Sequence, residues 1–193
     1  MTFTSELRKR FGKEPVFRAS DVRAFFSRQR LSTSYCNLML YNLVKTGELF
    51  RIARGTYTFR EDAEAVGFAF QPFYYGLQDA LSLRGLWEQE TTPVVITPRR
   101  VRAGLRSFMG SNYTVRRISR AMFFGFEMVK ISGLWVPISD AEKTLIDLVY
   151  FRQPISKEAL GEIKRRMRKE VMEGYLRRVP SYLRKKVRAV LSR

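Results

Sequence analysis

The chain has 193 residues, room for one or two small domains, and 45% hydrophobic with 13% aromatic content is enough to build real cores. Its 36 Lys and Arg against 18 Asp and Glu leave a net charge of +18, which favours a polyanionic partner. Histidine is absent, which removes the usual general base, the commonest transition-metal ligand and every Ser-His or Cys-His nucleophile pair.

In chain order, Phe3, Leu7 and Phe11 fall on one stripe of "FTSELRKRF", so residues 3–11 are expected to form a short helix. Pro15 disfavours helix around it, and "PVFRA" at 15–19 reads as a short extended piece. Ser20 is the expected N-cap of a helix through "DVRAFFSRQR", with Asp21 favoured by the helix dipole and Val22, Phe25 and Phe26 as the apolar face. After a break at Leu31, Ser32 or Thr33 caps the next helix, "STSYCNLMLYNLVKTG". Its Cys36, Met39, Leu40, Leu43 and Val44 recur at helical spacing and predict the buried stripe, and Gly47 ends it where a left-handed residue is cheapest. "LFRIAR" and "TYTF" then alternate around Gly55 as a β-hairpin. Helix, short strand, helix, turn, helix, hairpin is the order of a winged helix-turn-helix, whose third helix enters the major groove while the hairpin lies along the backbone. Residues 1–62 are therefore expected to be a DNA-binding domain.

The acidic stretch "REDAEAVGF" (60–68) marks the joint to a larger domain, 63–193. There "YYGLQDALSLRGLWEQ" predicts a helix with Leu77, Ala80, Leu81 and either Leu83 or Leu86 inward, and "TPVVITP" (92–98) a buried strand. "YTVRRIS" (113–119), "FEMVKIS" (126–132) and "LWVPIS" (134–139) are further strand candidates, with a tight turn at Gly133. "ISDAEKTLIDLVYF" predicts a helix opened by a capping box of Ser139 and Glu142 and carrying Leu145, Ile146, Leu148 and Val149 inward. The tail, 156–193, reads as two amphipathic helices separated by Pro180, with stripes Leu160–Ile163–Met167–Val171 and Leu183–Val187–Val190–Leu191. It holds thirteen Lys and Arg against four Glu, an excess of nine, half the net charge of the chain. The fold class expected is α+β: an N-terminal winged helix-turn-helix, then a larger α+β domain with a small mixed sheet and basic C-terminal helices.

With Cys36, Leu40 and Leu43 inward, Ser34, Leu38, Tyr41 and Lys45 point the opposite way, flanked by Tyr35, Asn37 and Asn42. Short hydroxyls, an amide and tyrosines are types that read base edges, thymine methyls and phosphates. The competing reading is an ordinary solvated face. Arg51 and Arg54 flank the hairpin, where arginine enters a minor groove or clamps phosphate, or else deters edge pairing. Arg28 and Arg30 sit in the turn before the third helix, placed for the DNA backbone. The full set of expected DNA contacts is Arg28, Arg30, Thr33, Ser34, Tyr35, Asn37, Leu38, Tyr41, Arg51 and Arg54. A second basic cluster, "PRRVRAGLR" (98–106), reads equally as a solvated loop with a helix start or as a surface for flanking DNA or an acidic partner.

No chemistry is expected. Asp140, Glu142 and Asp147 lie close in sequence, but Ser139-Asp140-Ala141-Glu142 is explained as a helix cap, and Gly110-Ser111 has no Asp-x-Asp behind it to hold magnesium. The single cysteine, Cys36, excludes an internal disulfide framework and a structural zinc site. No apolar run reaches roughly 18 residues and no signal core opens the chain, so a cytoplasmic protein with no membrane segment, cofactor, metal or catalytic residue is expected.

"RGTY" at the hairpin, then "YYGLQDAL", "VVITP" and "VPISDAEKTLIDLV", make a run of landmarks over roughly residues 5 to 155 that resembles the AbiEi-like antitoxin family, the transcriptional regulators of type IV (AbiE) toxin–antitoxin systems. The resemblance implies a winged helix that binds inverted repeats in its own promoter and represses the operon. It implies a C-terminal domain that supports cooperative repression by self-association on DNA and counters a nucleotidyltransferase-like toxin. Ser34, Tyr35, Asn37, Tyr41, Arg51 and Arg54 would be DNA contacts, and the family supplies no catalytic residue. The very basic tail falls outside the resemblance. The expected function is a sequence-specific DNA-binding repressor acting as the antitoxin of its operon. The alternatives are a winged-helix transcription factor without a toxin, a less specific nucleic-acid-binding protein, and a metal-dependent nuclease or transferase.

Overall fold

A computed structural model of the chain describes residues 2–85 and 91–192. The chain divides into two compact units, Met1–Ala69 with Ser107–Ser111, and Phe70–Arg106 with Asn112–Arg193. Both mix helices and strands, and the fold class is α+β.

In the first unit, the Thr2 hydroxyl caps helix α1 (Phe3–Phe11). Strand β1 (Phe17–Arg18) runs directly into α2 (Ala19–Phe26). The expected cap at Ser20 is not used. Pairing with the hairpin holds Arg18 extended, and the Asp21 carboxylate reaches back to accept the Arg18 N–H at 2.8 Å, so Arg18 is the N-cap. A 3-10 turn at Ser27–Gln29 ends with Arg30 in the left-handed region, φ 57°. Of the two candidate caps for α3 (Thr33–Lys45), the structure uses Ser32, whose hydroxyl accepts the Tyr35 N–H at 3.1 Å. Past Gly47, φ 74°, the Glu48 and Leu49 N–H groups both bond the Leu43 carbonyl. The chain then enters strands β2 (Phe50–Ala53) and β3 (Thr56–Thr58), which pair antiparallel, with β1 on the far side of β3. Gly55 turns the hairpin at φ 71°, a conformation that costs a side chain but not glycine. The core beneath is aromatic: Phe11 stacks on Phe17 at 4.8 Å between ring centres and Phe17 on Phe59 at 5.5 Å, with Leu7, Val22, Phe26, Cys36, Leu40 and Leu49 buried around them. Each such side chain contributes about 1.5–3 kcal/mol relative to exposure.

The second unit holds most of a six-stranded mixed sheet, β4 (Tyr74–Tyr75), β5 (Val94–Thr97), β6 (Gly104–Phe108), β7 (Ser111–Arg117), β8 (Phe126–Ile131) and β9 (Leu134–Ser139), in the order β6-β7-β5-β4-β9-β8. Tyr74 and Tyr75, expected in a helix, are strand residues paired with Ile96 and Val95, and Tyr75 also with Ile138. Helix α4 (Leu77–Leu83) starts only after Gly76, with Leu77, Ala80 and Leu81 buried and Leu83 half-buried. Residues 86–89 of that expected helix, Leu86 included, lie outside the described residues. β6 corrects the loop-and-helix reading of 98–106, since residues 104–106 hydrogen-bond into the sheet beside β7.

Helix α5 (Ala141–Tyr150) lacks the expected capping box. Ser139 is still in β9, paired with Phe126, and its hydroxyl bonds Thr144 Oγ1 at 2.7 Å. Asp140 takes the N-cap, accepting the Lys143 N–H at 2.7 Å. Glu142 is buried and instead accepts the Arg168 N–H at 2.7 Å, which ends the first tail helix. The tail is therefore three helices rather than two: α6 (Lys157–Arg166), α7 (Lys169–Arg178) and α8 (Ser181–Leu191). Ala159, Ile163, Met172, Leu176, Val179, Leu183 and Val187 are its buried residues, in one cluster with Leu145, Ile146, Leu148, Tyr74 and Ile96. Leu160, Met167, Val171, Val190 and Leu191 of the expected stripes are only half-buried.

A charged network sits inside that cluster. Lys143 and Asp147 are both fully buried and ion-paired one turn apart on α5. Tyr74 donates its hydroxyl to Asp147 Oδ2 at 2.8 Å, and the Lys143 ammonium lies 5.3 and 5.2 Å from the ring centres of Tyr74 and Phe124. Tyr175 donates to Asp140 Oδ2 at 2.7 Å. Gly125, φ 73°, admits this arrangement, because a Cβ there would stand 2.7 Å from Lys143 Cβ and 2.9 Å from a ring carbon of Tyr175. Burial pulls Lys143 below the ordinary lysine range and pushes Asp147 above the ordinary carboxylate range, and each charge draws the other back.

Replacing Asp147 by Asn strands the Lys143 charge and should cost about 3–5 kcal/mol in urea unfolding, while the double change Lys143→Met with Asp147→Leu should recover most of it. Burial, then the neighbouring Asp147, hold the Tyr74 hydroxyl well above its usual 10.0. A raised acid stabilises the fold fully below its unfolded value, and that contribution is lost as the pH climbs past it. Tyr74→Phe should therefore lose less stability than the native chain between about pH 9 and 11, read from urea midpoints.

Candidate nucleic-acid interface

Burying Cys36, Met39, Leu40 and Leu43 turns the opposite face of α3 to solvent. Thr33, Ser34, Tyr35, Asn37, Leu38 and Tyr41 are all exposed, and the three largest are 46% (Tyr35), 55% (Leu38) and 62% (Tyr41) accessible. Asn42 and Lys45 continue the face. Spaced three residues apart on one helix, Tyr35, Leu38 and Tyr41 make a continuous exposed patch, the kind of surface feature that marks a contact region. α3 carries no acidic residue, and in particular none in its first turn, where α1, α2, α5, α6 and α7 each have one. Its N-terminal partial charge is thus left uncompensated, the arrangement that receives a phosphate.

The ten expected contacts are all solvent-facing, on three local elements. Six ride on α3. Arg28 lies in the 3-10 turn, and Arg30 is the left-handed residue after it, two residues before the Ser32 cap. Arg51 is in β2 opposite Tyr57, and Arg54 occupies the two-residue turn. The hairpin is short, and its turn is anchored, since the Gly55 carbonyl accepts the Ala19 N–H at 3.0 Å. Arg54 is therefore presented from a fixed backbone.

Two contacts modify the expected roles. Tyr35 is only half free, with its ring edge-on to Phe3 at 5.8 Å. Asn37 has its carbonyl oxygen engaged by Arg23 of α2 at 3.4 Å. A bidentate contact with adenine uses the same oxygen together with the amide NH2, and the oxygen's second lone pair leaves that contact available while Arg23 fixes the amide orientation. Arg23 is absent from the expected contacts, because nothing in the spacing of "DVRAFFSRQR" shows that α2 packs its Arg23 against α3.

Among the described residues, no helix is long and apolar enough to cross a membrane, and no three His, Cys, Asp or Glu side chains gather where a metal could sit. Cys36 is a free thiol buried in the first unit's core.

No family model matches the chain, and no curated protein matches it either. The architecture does recur among solved α+β structures. One of them, the crystal structure of the RV2827C protein from Mycobacterium tuberculosis, superposes with a TM-score of 0.66 over 100% of this chain and 77% of that one, at 13% sequence identity. At that identity the likeness is one of fold.

Tyr41 and Leu38 are mostly exposed, so Tyr41→Ala and Leu38→Ala should each change stability by less than about 0.5 kcal/mol. Tyr35→Ala should cost more, about 0.5–1.5 kcal/mol, through the lost ring pair with Phe3. Urea unfolding of the three variants checks the contrast.

Proposed function

We propose that residues 1–62 form a winged helix-turn-helix that binds duplex DNA sequence-specifically, and that the protein is a repressor of its own operon acting as the antitoxin of an AbiE-type system. The observation that carries the DNA reading is the face of α3: exposed Tyr35, Leu38, Tyr41 and Asn37 on a helix without an acidic residue, preceded by Arg28 and Arg30. These are base-edge and thymine-methyl readers beside phosphate binders, the division of labour that DNA recognition uses. α3 would enter the major groove, with Asn37 and Tyr41 on base edges and Leu38 against a thymine methyl. Arg51 and Arg54 would hold flanking phosphates or reach the minor groove from the hairpin. Two copies on an inverted repeat would space their α3 helices about one turn of the duplex apart.

The antitoxin half comes from the family resemblance of residues 5 to 155. The second unit would counter a nucleotidyltransferase-like toxin and support self-association on DNA. The buried positions of Lys143 and Asp147 support a structural role for that pair, since both groups are enclosed in the core and satisfied by each other and by Tyr74. Growth rescue on co-expression with the product of the adjacent gene tests this half, and a toxic neighbour left unneutralised contradicts it.

For the DNA half, promoter duplex should be displaced in a mobility-shift assay by unlabelled promoter far better than by random duplex. Equal displacement sinks specific recognition. Asn37→Ala should narrow the gap between cognate and scrambled sites by about 1–3 kcal/mol, whereas Arg54→Ala should weaken all duplexes alike and lower the slope of log affinity against log salt by about 1.

A further inference from the structure

Between Thr91 and Phe126 the chain carries seven arginines and no lysine, aspartate or glutamate. The sheet gathers part of this run at one place. β5 and β7 are parallel neighbours, in register from Val94 opposite Thr114 to Thr97 opposite Arg117, and the Ile118 N–H donates to the Thr97 carbonyl at 3.1 Å. The two strands therefore end together, and the segments that leave them, Pro98-Arg99-Arg100 and Ser119-Arg120, start side by side. Where two adjacent strands end together, the segments that leave them can wall a crevice. Here there is one of about 340 Å³, lined by Pro72, Pro98, Arg99, Arg120 and Phe123. That volume is in the range of small-molecule sites, roughly 300–1,000 Å³.

The lining is specific in its chemistry. Both charged residues are arginines, whose planar forks match phosphate oxygens two at a time. The remaining walls are two proline rings and the half-exposed Phe123, which is backed by Tyr74 and Phe126 at 5.4 and 4.9 Å between ring centres and so is held as a rigid platform. A bare anion leaves the ring and prolines unused, and an apolar ligand leaves the arginines unused. The geometry points to a nucleoside-phosphate site, with the phosphate held by Arg120 at the Arg99 side of the crevice and the planar base against Phe123 and the prolines. It uses no residue of the first unit and stands independently of the duplex-binding face.

Calorimetric titration of the full chain at constant ionic strength tests it, with ATP, GTP, tripolyphosphate and a short 5′-phosphorylated single-stranded oligonucleotide as probes. The native chain should bind a nucleotide or the oligonucleotide more tightly than tripolyphosphate. Arg120→Gln should weaken every phosphate probe by about tenfold. Phe123→Leu should weaken the base-bearing probes and leave tripolyphosphate unchanged. Lys185→Gln, which removes one charge from α8, should change none of them. If ATP or GTP shows the pattern, the ligand is a free nucleotide; if only the oligonucleotide does, it is a strand end. No binding by the native chain, or equal losses in Lys185→Gln and Arg120→Gln, overturns the site, because binding would then be absent or a matter of bulk charge.

Discussion

Helix α3 has to bury Cys36, Met39, Leu40 and Leu43, and a helix that buries one stripe must display the opposite one. Everything proposed for the first unit depends on that division. α1, α2 and the aromatic core fix the rotation of α3 about its axis, so that Thr33, Ser34, Asn37, Leu38 and Tyr41 share an exposed face. Ser32 at one end and Gly47 at the other fix its length. The exposed face then contradicts what solubility alone would select: two tyrosines and a leucine stand where lysines and glutamates would be neutral.

Charge supports the same direction. The chain has half as many acids as bases, and several of those acids face inward. Asp140 caps α5, Glu142 holds the start of α7, Asp147 pairs with Lys143, and the buried Asp79 accepts the Val94 N–H at 3.1 Å. Each of these is engaged in folding, which leaves the surface more positive than the net charge implies. A chain so arranged repels itself and attracts polyanions.

Much of the first unit is legible in the sequence because its signals are local. A serine cap, a 3–4 repeat of apolar residues, a glycine stop and an Arg-Gly tip each act within a few residues. What escapes is decided at long range. Tyr74-Tyr75 reads as the start of a helix, yet two strands distant in sequence, at Val95–Ile96 and Ile138, pair with it and make it a strand. The break at Met167–Arg168 has no glycine or proline, and the buried Glu142 carboxylate ends the helix there. Lys143 and Asp147 look like an ordinary surface pair at i and i+4, and only the packing of α6, α7 and α8 around α5 puts them inside. The candidate interface is legible as a set of residues but not in its detail. Arg23 on the Asn37 amide and Phe3 on Tyr35 are contacts between helices that no single stretch encodes. The arginine-lined crevice is hidden for the same reason, since it exists only where β5 and β7 end together.

Amide hydrogen exchange on the chain alone and saturated with its promoter duplex tests the central claim most directly. Recognition by α3 predicts new protection over Thr33–Lys45 and at the Arg54-Gly55 turn. Protection confined to 157–191, with α3 exchanging as in the free chain, contradicts it.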